Sequence, residues 1–223
     1  MKVWRQDKTI WIAGAIMDNQ PHKHHAIQVI WADPSTDAIL ETSTEEFVGN
    51  CLLVESWVEH RLELESGLIC LINAESDIAN ALRSRYPTKS ARKIEGHLST
   101  DFSLMGRESP IDERIINILS WLDQKEEERD WSEVEIEQAL ERVHLSKSRF
   151  LHLFSEEIGT PWRSYILWRR AIFAMELVLS GLSLTDASHA SGYSDSAHFS
   201  RQFKDLFGYP PSLFSKVVEP IRE

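Results

Sequence analysis

The chain has 223 residues, a formal net charge of −11, 42% hydrophobic and 26% charged residues, a composition that excludes disordered, collagenous and coiled-coil chains. So acidic a total also excludes a generic nucleic-acid coat, though not a locally basic segment that reads DNA. No apolar run reaches the 18 residues of a membrane span, and the opening Met1-Lys2-Val3-Trp4-Arg5-Gln6-Asp7-Lys8 lacks the apolar stretch of a secretion signal, so a cytoplasmic protein without membrane contact is expected.

Residues 1–107 read as mostly β. Candidate strands run over 9–16, 24–32, 38–42, 47–54, 59–65 and 68–72. Turn formers such as Asp33-Pro34-Ser35 and Glu65-Ser66-Gly67 separate them, the pattern of a sandwich or barrel. A helix is expected over 77–86, stopped by Pro87. Cys51 and Cys70 sit in apolar strands and are expected to be reduced core thiols. If Pro21 to Ile30 is extended, His22, His24, Ala26 and Gln28 share one face, and His25, Ile27, Val29 and Trp31 the other. The His25 face is the more apolar, so parity leaves open which one is interior. In the strand over 59–65, His60, Leu62 and Leu64 alternate inward.

The boundary between the halves is placed at Gly106-Arg107-Glu108-Ser109-Pro110. Beyond it, Ile111, Ile115, Ile118, Leu119 and Leu122 fall on one helical stripe, giving a linker helix within 108–130. Its acidic run from Asp123 to Asp130 reads as a solvated helix end or hinge. Residues 131–223 then read as helix and turn. Ser132 is the expected cap of a helix carrying Val134, Ile136, Ala139, Leu140 and Val143. His144-Leu145 turns, and Ser146 caps a second helix over 147–157 that ends at Gly159. Pro161 opens a long helix at its first turn, with Tyr165, Trp168, Ile172, Met175 and Leu179 in one stripe.

A second helix-turn-helix pattern follows. Its first helix covers 183–190, its turn is Ser191-Gly192-Tyr193, and Ser194 or Asp195 caps a helix running to Phe207. Phe199 and Phe203 face inward, which leaves Ser196, Ala197, His198, Ser200, Arg201 and Lys204 for solvent or DNA. Gly208-Tyr209-Pro210-Pro211 breaks the chain before a final helix near 212–217.

A short capped helix fits the major groove of B-DNA, with its first turns near base edges. From Arg142 to Lys204 there are eight Lys/Arg against five Asp/Glu, so the acidic excess lies elsewhere. Arg201 suits a guanine or a phosphate, and His198 and Ser200 shorter contacts. Lys147, Arg149, Arg169, Arg170 and Lys204 suit phosphates, which position without specifying. Any one of these cations alone is as well explained by a solvated helix face; together they point to DNA.

The stretch from Leu184 to Lys204, completed by Phe207-Gly208-Tyr209-Pro210-Pro211, resembles the signature of AraC/XylS-type transcription regulators. Leu145-Ser146-Lys147-Ser148-Arg149-Phe150, with Phe154 and Gly159, resembles the first unit of the same family. The resemblance covers about ninety residues. It implies an α+β chain in which a sensor domain precedes an all-α domain of two helix-turn-helix units joined by a long helix. The units would enter adjacent major grooves of a promoter, presenting Ser148, Leu151 and His152 in the first and Ser196, Ala197, His198, Ser200 and Arg201 in the second. Leu151 departs from the pattern, which often has a polar base reader there, and Ser188 stands where the family usually has Ala.

The first 107 residues resemble a small cupin-like β-barrel, a common sensor in this family. That resemblance implies a divalent-metal or effector set of His22, His24, Gln28 and His60, with Gln28 where the cupin pattern has Glu. Neutral imidazoles suit Zn, Fe, Ni or Cu. A metal-free pocket for a small organic effector, and plain hydrogen-bonded barrel histidines, are the other readings of the same residues. The implied partners are double-stranded DNA, a small-molecule effector and RNA polymerase, for a monomer or a homodimer. Two further alternatives are a metal-dependent cupin enzyme with a helical appendage, and a DNA-binding adaptor whose β half only dimerises.

Overall fold

The computed structural model describes all residues except 7, 17, 18, 97, 103–110, 132, 133, 213–218 and 221–223. The expected boundary at Gly106–Pro110, the Ser132 cap and most of the expected final helix fall on residues outside those described. By its contacts the chain divides into two compact units, residues 1–109 with 204–223, and residues 110–203.

The first unit holds β1 (Lys2–Gln6), β2 (Thr9–Ala13), β3 (Ile27–Ala32), β4 (Ala38–Thr42), β5 (Glu46–Gly49), β6 (Cys51–Val54), β7 (His60–Glu63), β8 (Gly67–Ile72), β9 (Ala91–Lys93), β10 (Glu219–Pro220) and α1 (Asp77–Arg85). The strands form a seven-stranded sheet in the order β10-β1-β2-β8-β3-β6-β9 and a three-stranded sheet in the order β5-β4-β7. The span 47–54, expected as one strand, is two. Asn50 interrupts it, so that β5 pairs with β4 in the small sheet while β6 pairs with β3 in the large one. This is how one strand run turns a corner between packed sheets. The short strands β1 and β9 were not anticipated.

Both faces of the large sheet are covered. On one, Trp11, Ile27, Val29, Cys70 and Ile72 join Ala79 and Leu82 of α1 and the later Leu98 and Phe102 in a single core. On the other, Ile12, Gln28, Ile69 and Leu71 line a cavity with Leu62 of β7. A strand buried on both sides has no solvent face, which is why its parity could not be read from hydrophobicity. Ser76 caps α1, its Oγ accepting from Ala79 N at 3.2 Å. Cys51 and Cys70 are buried free thiols.

The second unit contains α2 (Glu113–Glu127), α3 (Ile136–Val143), α4 (Lys147–Ile158), α5 (Trp162–Leu179), α6 (Leu184–Ala190) and most of α7 (Ser196–Phe207). Ile115, Ile118, Trp121 and Leu122 of α2 share one core with Trp131, Phe150, Phe154, Trp162 and Tyr165. Phe150, Phe154 and Trp162 interlock, with ring centroids 5.1–5.7 Å apart, so α4 is fixed against α5. Glu135, with extended backbone, stands at the N-cap of α3. Pro161 holds the N-cap of α5, one residue before the first helical position.

Two expectations need correction. Arg169, taken above as a phosphate ligand, is 5% exposed. Its Nη2 meets Asp123 and its Nε meets Glu126, both at 2.8 Å, and its Nη1 donates to the Tyr165 hydroxyl at 3.2 Å. These bonds pin α2 to α5, so part of the acidic run is an ion-pair partner and not only a solvated helix end. Arg170, also taken as a phosphate ligand, donates to the carbonyls of Val134 (3.0 Å) and Gly192 (3.3 Å). Residue type and helical spacing cannot tell a cation offered to solvent from one committed to the scaffold.

Candidate functional site

The first helix-turn-helix unit is α3, a tight turn and α4. His144 adopts a left-handed backbone at φ +51° and Ser146 an extended one at the start of α4. Lys147, Ser148, Arg149 and His152 are exposed, whereas Leu151 is half-buried and packs against the core. Lys147 lies 3.6 Å from Glu137 with both side chains well exposed, a pair too solvated to hold it.

The second unit is α6, the turn and α7. Ser183 caps α6, its Oγ accepting from Asp186 N at 3.1 Å. In the turn, Gly192 has φ +76° and a Cβ there would stand 2.7 Å from the Trp131 carbonyl oxygen, so only glycine fits. Asp195 accepts from His198 N at 2.7 Å and thereby caps α7. That N–H holds the carboxyl below its usual range. The His198 ring meets Tyr193 edge-on at 5.5 Å. Ala197, Arg201 and Lys204 are exposed, and Ser196, His198 and Ser200 half-buried.

A separate constellation lies inside the β unit. His22 and His60 exchange backbone hydrogen bonds of 3.0 and 2.9 Å, which brings the β2–β3 connection against β7. His22, His24, Gln28 and His60 are each no more than 6% exposed. The three imidazoles offer ligand atoms within 4.8 Å of one another. Each ring spends Nδ1 on a backbone carbonyl: His22 on Gln20 (2.9 Å), His24 on Ala26 (3.0 Å) and His60 on Val58 (2.8 Å). A carbonyl only accepts, so each Nδ1 carries the proton and each neutral ring keeps its lone pair on Nε2. Burial, then the neighbouring imidazole, lowers the pKa of each ring to about 3, so the rings are neutral at ordinary pH.

The Nε2 atoms of His24 and His60 face Gln28 Oε1 at 3.1 and 3.3 Å. That oxygen is another acceptor. An amide can turn either end to the same point. With its NH₂ inward, Gln28 donates to both rings. With its oxygen inward, as here, acceptors converge from several sides, an arrangement that a cation satisfies. The cavity beside them is about 30 Å³, room for an ion or a water but far below the several hundred Å³ of an organic-ligand pocket. His25, the neighbour of opposite parity, is fully buried and bonds Glu75 at 2.6 Å, away from the cluster's partners.

Residues 140–216 match the helix-turn-helix domain family. The chain carries an AraC/XylS-type helix-turn-helix domain. The Msm operon regulatory protein of Streptococcus mutans is 30% identical over 89 residues, 40% of this chain and 32% of that protein. An uncharacterized helix-turn-helix-type transcriptional regulator of Haemophilus influenzae is 25% identical over 190 residues, 82% of this chain and 59% of that protein. The chain therefore spans from a third to three fifths of the length of these curated relatives. Among solved structures, ToxT from Vibrio cholerae shares the fold, with TM-score 0.59 at 13% identity over 95% of this chain and 98% of that one. The named relatives are transcription regulators, a non-enzymatic class. Among the described residues no helix is long and apolar enough to cross a membrane.

The helix-turn-helix domain extends to residue 216 and so includes Phe207 and Tyr209, which line the histidine cavity together with Asn19. None of these three was anticipated as a site residue. Asn19 Oδ1 accepts from Leu62 N at 3.2 Å, a bond across 43 residues that no local motif signals.

Proposed function

We propose that the chain is a one-component transcription regulator. Its helix-turn-helix domain binds double-stranded promoter DNA, and its β unit senses a ligand at His22, His24, Gln28 and His60. The observation that carries the DNA reading is the exposed face of α7, where Arg201 and Lys204 stand with Ala197 beside the half-buried His198 and Ser200, on a helix whose N-terminus is capped from within. On this reading Arg201 contacts a base edge, and Lys147, Arg149 and Lys204 hold phosphates, with Ser148, His152 and Ser196 as shorter contacts. Leu151, partly packed inward, contributes little. The protein works in the cytoplasm and acts through RNA polymerase, and operator symmetry counts the bound protomers.

Selection on random DNA yields the operator. Arg201→Ala then weakens binding to it by about 1–3 kcal/mol. An affinity unchanged within twofold removes Arg201 from the readers.

For the sensed ligand, the converging acceptors and the small cavity favour a divalent d-block cation over an organic effector. His22, His24 and His60 would hold it through Nε2, with Gln28 Oε1 beside them. The bound cation would supply a charge that fixes the rings, the amide and the strands carrying them.

A further inference from the structure

The end of the reading helix takes part in the histidine cavity. Phe207, the last residue of α7, places its ring 6.5 Å from that of His24. Gly208 N donates to Lys204 O at 2.8 Å and closes the helix, while Gly208 O accepts from Gln20 N at 2.8 Å. Tyr209 lines the cavity next to Phe207. Gln20 is therefore shared: its carbonyl fixes His22 Nδ1 at 2.9 Å, and its N–H holds the residue that ends α7. Gly208 is the tight point. Its φ is +78°, and a Cβ there would strike the Gln20 carbonyl oxygen and stand 2.9 Å from His22 Nδ1. No other residue fits without moving one of the two.

The cavity is small, about 30 Å³. Imidazoles that close on an ion carry their backbone carbonyls with them, and the carbonyl of Gln20 belongs to the residue that docks Gly208. We propose that a divalent d-block cation at His22, His24 and His60 is coupled to DNA bound by α7 through the segment Phe207-Gly208-Tyr209, so that filling the cavity resets operator affinity. This rests on the reading of the cluster as the sensor site. Coupling between two ligands is reciprocal, and about 5- to 150-fold is typical; DNA must then change cation affinity by the same factor.

The test uses the full chain, zinc chloride and the operator selected from random DNA. Saturating zinc is expected to change the operator Kd at least fivefold, and saturating operator to change the zinc Kd by an equal factor. His60→Ala cuts zinc affinity by roughly 100-fold or more and removes the shift at zinc concentrations that saturate the unaltered protein. Gly208→Val displaces Gln20 or His22 and so weakens zinc, but at zinc concentrations that saturate the variant the operator shift falls within twofold. Hydrogen exchange of residues 204–209 in the unaltered protein, with and without zinc, reads the same coupling if Gly208→Val does not fold, and is expected to change at least fivefold. No zinc uptake overturns the sensor reading and the coupling with it. Zinc uptake with unchanged operator affinity overturns the coupling alone. A shift that persists in folded Gly208→Val, or unchanged exchange at 204–209, overturns the role of the segment.

Discussion

Each unit buries polar side chains that can carry charge, and the two do so in opposite ways. In the helical unit, Arg169 gives Nε to Glu126, Nη2 to Asp123 and Nη1 to the Tyr165 hydroxyl. Donors and acceptors match, and all of them come from the chain. In the β unit, the imidazoles of His22, His24 and His60 each tie one nitrogen to a carbonyl, and two of the remaining nitrogens face an amide oxygen. With the amide oxygen turned inward, as here, the atoms facing one another are acceptors. Burial alone thus does not mark function. A buried group whose complement the chain supplies is scaffold, whereas a cluster that gains from a complement brought from outside is built to receive one.

Three substitutions sharpen or break this contrast. The largest effect belongs to Arg169→Ala, which leaves Glu126 facing a dry interior. Its expected cost is about 2–4 kcal/mol, less than for a fully buried pair because Asp123 is 63% exposed. Chemical denaturation followed by tryptophan fluorescence measures it, and a loss under about 1 kcal/mol would mean that Arg169 does not pin α2 to α5. Next, His60→Ala is expected to cut zinc affinity by roughly 100-fold or more, since one of three nitrogen ligands goes, while costing less stability than Arg169→Ala. Calorimetric titration and the same denaturation experiment give both numbers; a larger stability loss with zinc affinity intact would make the cluster scaffold after all. The smallest is Gln28→Glu. It sets a carboxylate where the amide oxygen stands and is expected to tighten zinc by about tenfold. Weaker zinc binding would place Gln28 outside the ligand set.

Much of the helical part was legible in the sequence, because its signals are local. The second helix of the first unit was expected over 147–157 and runs Lys147–Ile158. Ser146, Gly159 and Gly192 mark its ends and the later turn in the sequence itself. The commitments of Arg169 and Arg170 were not legible, since their carboxylate and backbone-carbonyl partners lie 22 to 46 residues away. In the β part, β4 was read to the residue, but β1 and β9 are short edge elements without a periodic signal. The four residues read from the cupin pattern do converge in space. What that pattern lacked was the cavity's other wall: Asn19, which reaches β7, and Phe207 and Tyr209, which arrive from the far end of the chain.

That arrival has a consequence for the order of events during synthesis. Lys2 and Val3 of β1 pair with Glu219 and Pro220 of β10, a closure over more than two hundred residues. The helical unit lies wholly between the two segments that make up the β unit. Its contacts are available as soon as α6 and the first turns of α7 leave the ribosome, whereas the β unit waits for its closing segment. Long-range pairings of this kind are slow to form because loop entropy opposes them before any contact rewards them. The β unit, whose first strands precede the helical unit in the chain, is therefore completed after it.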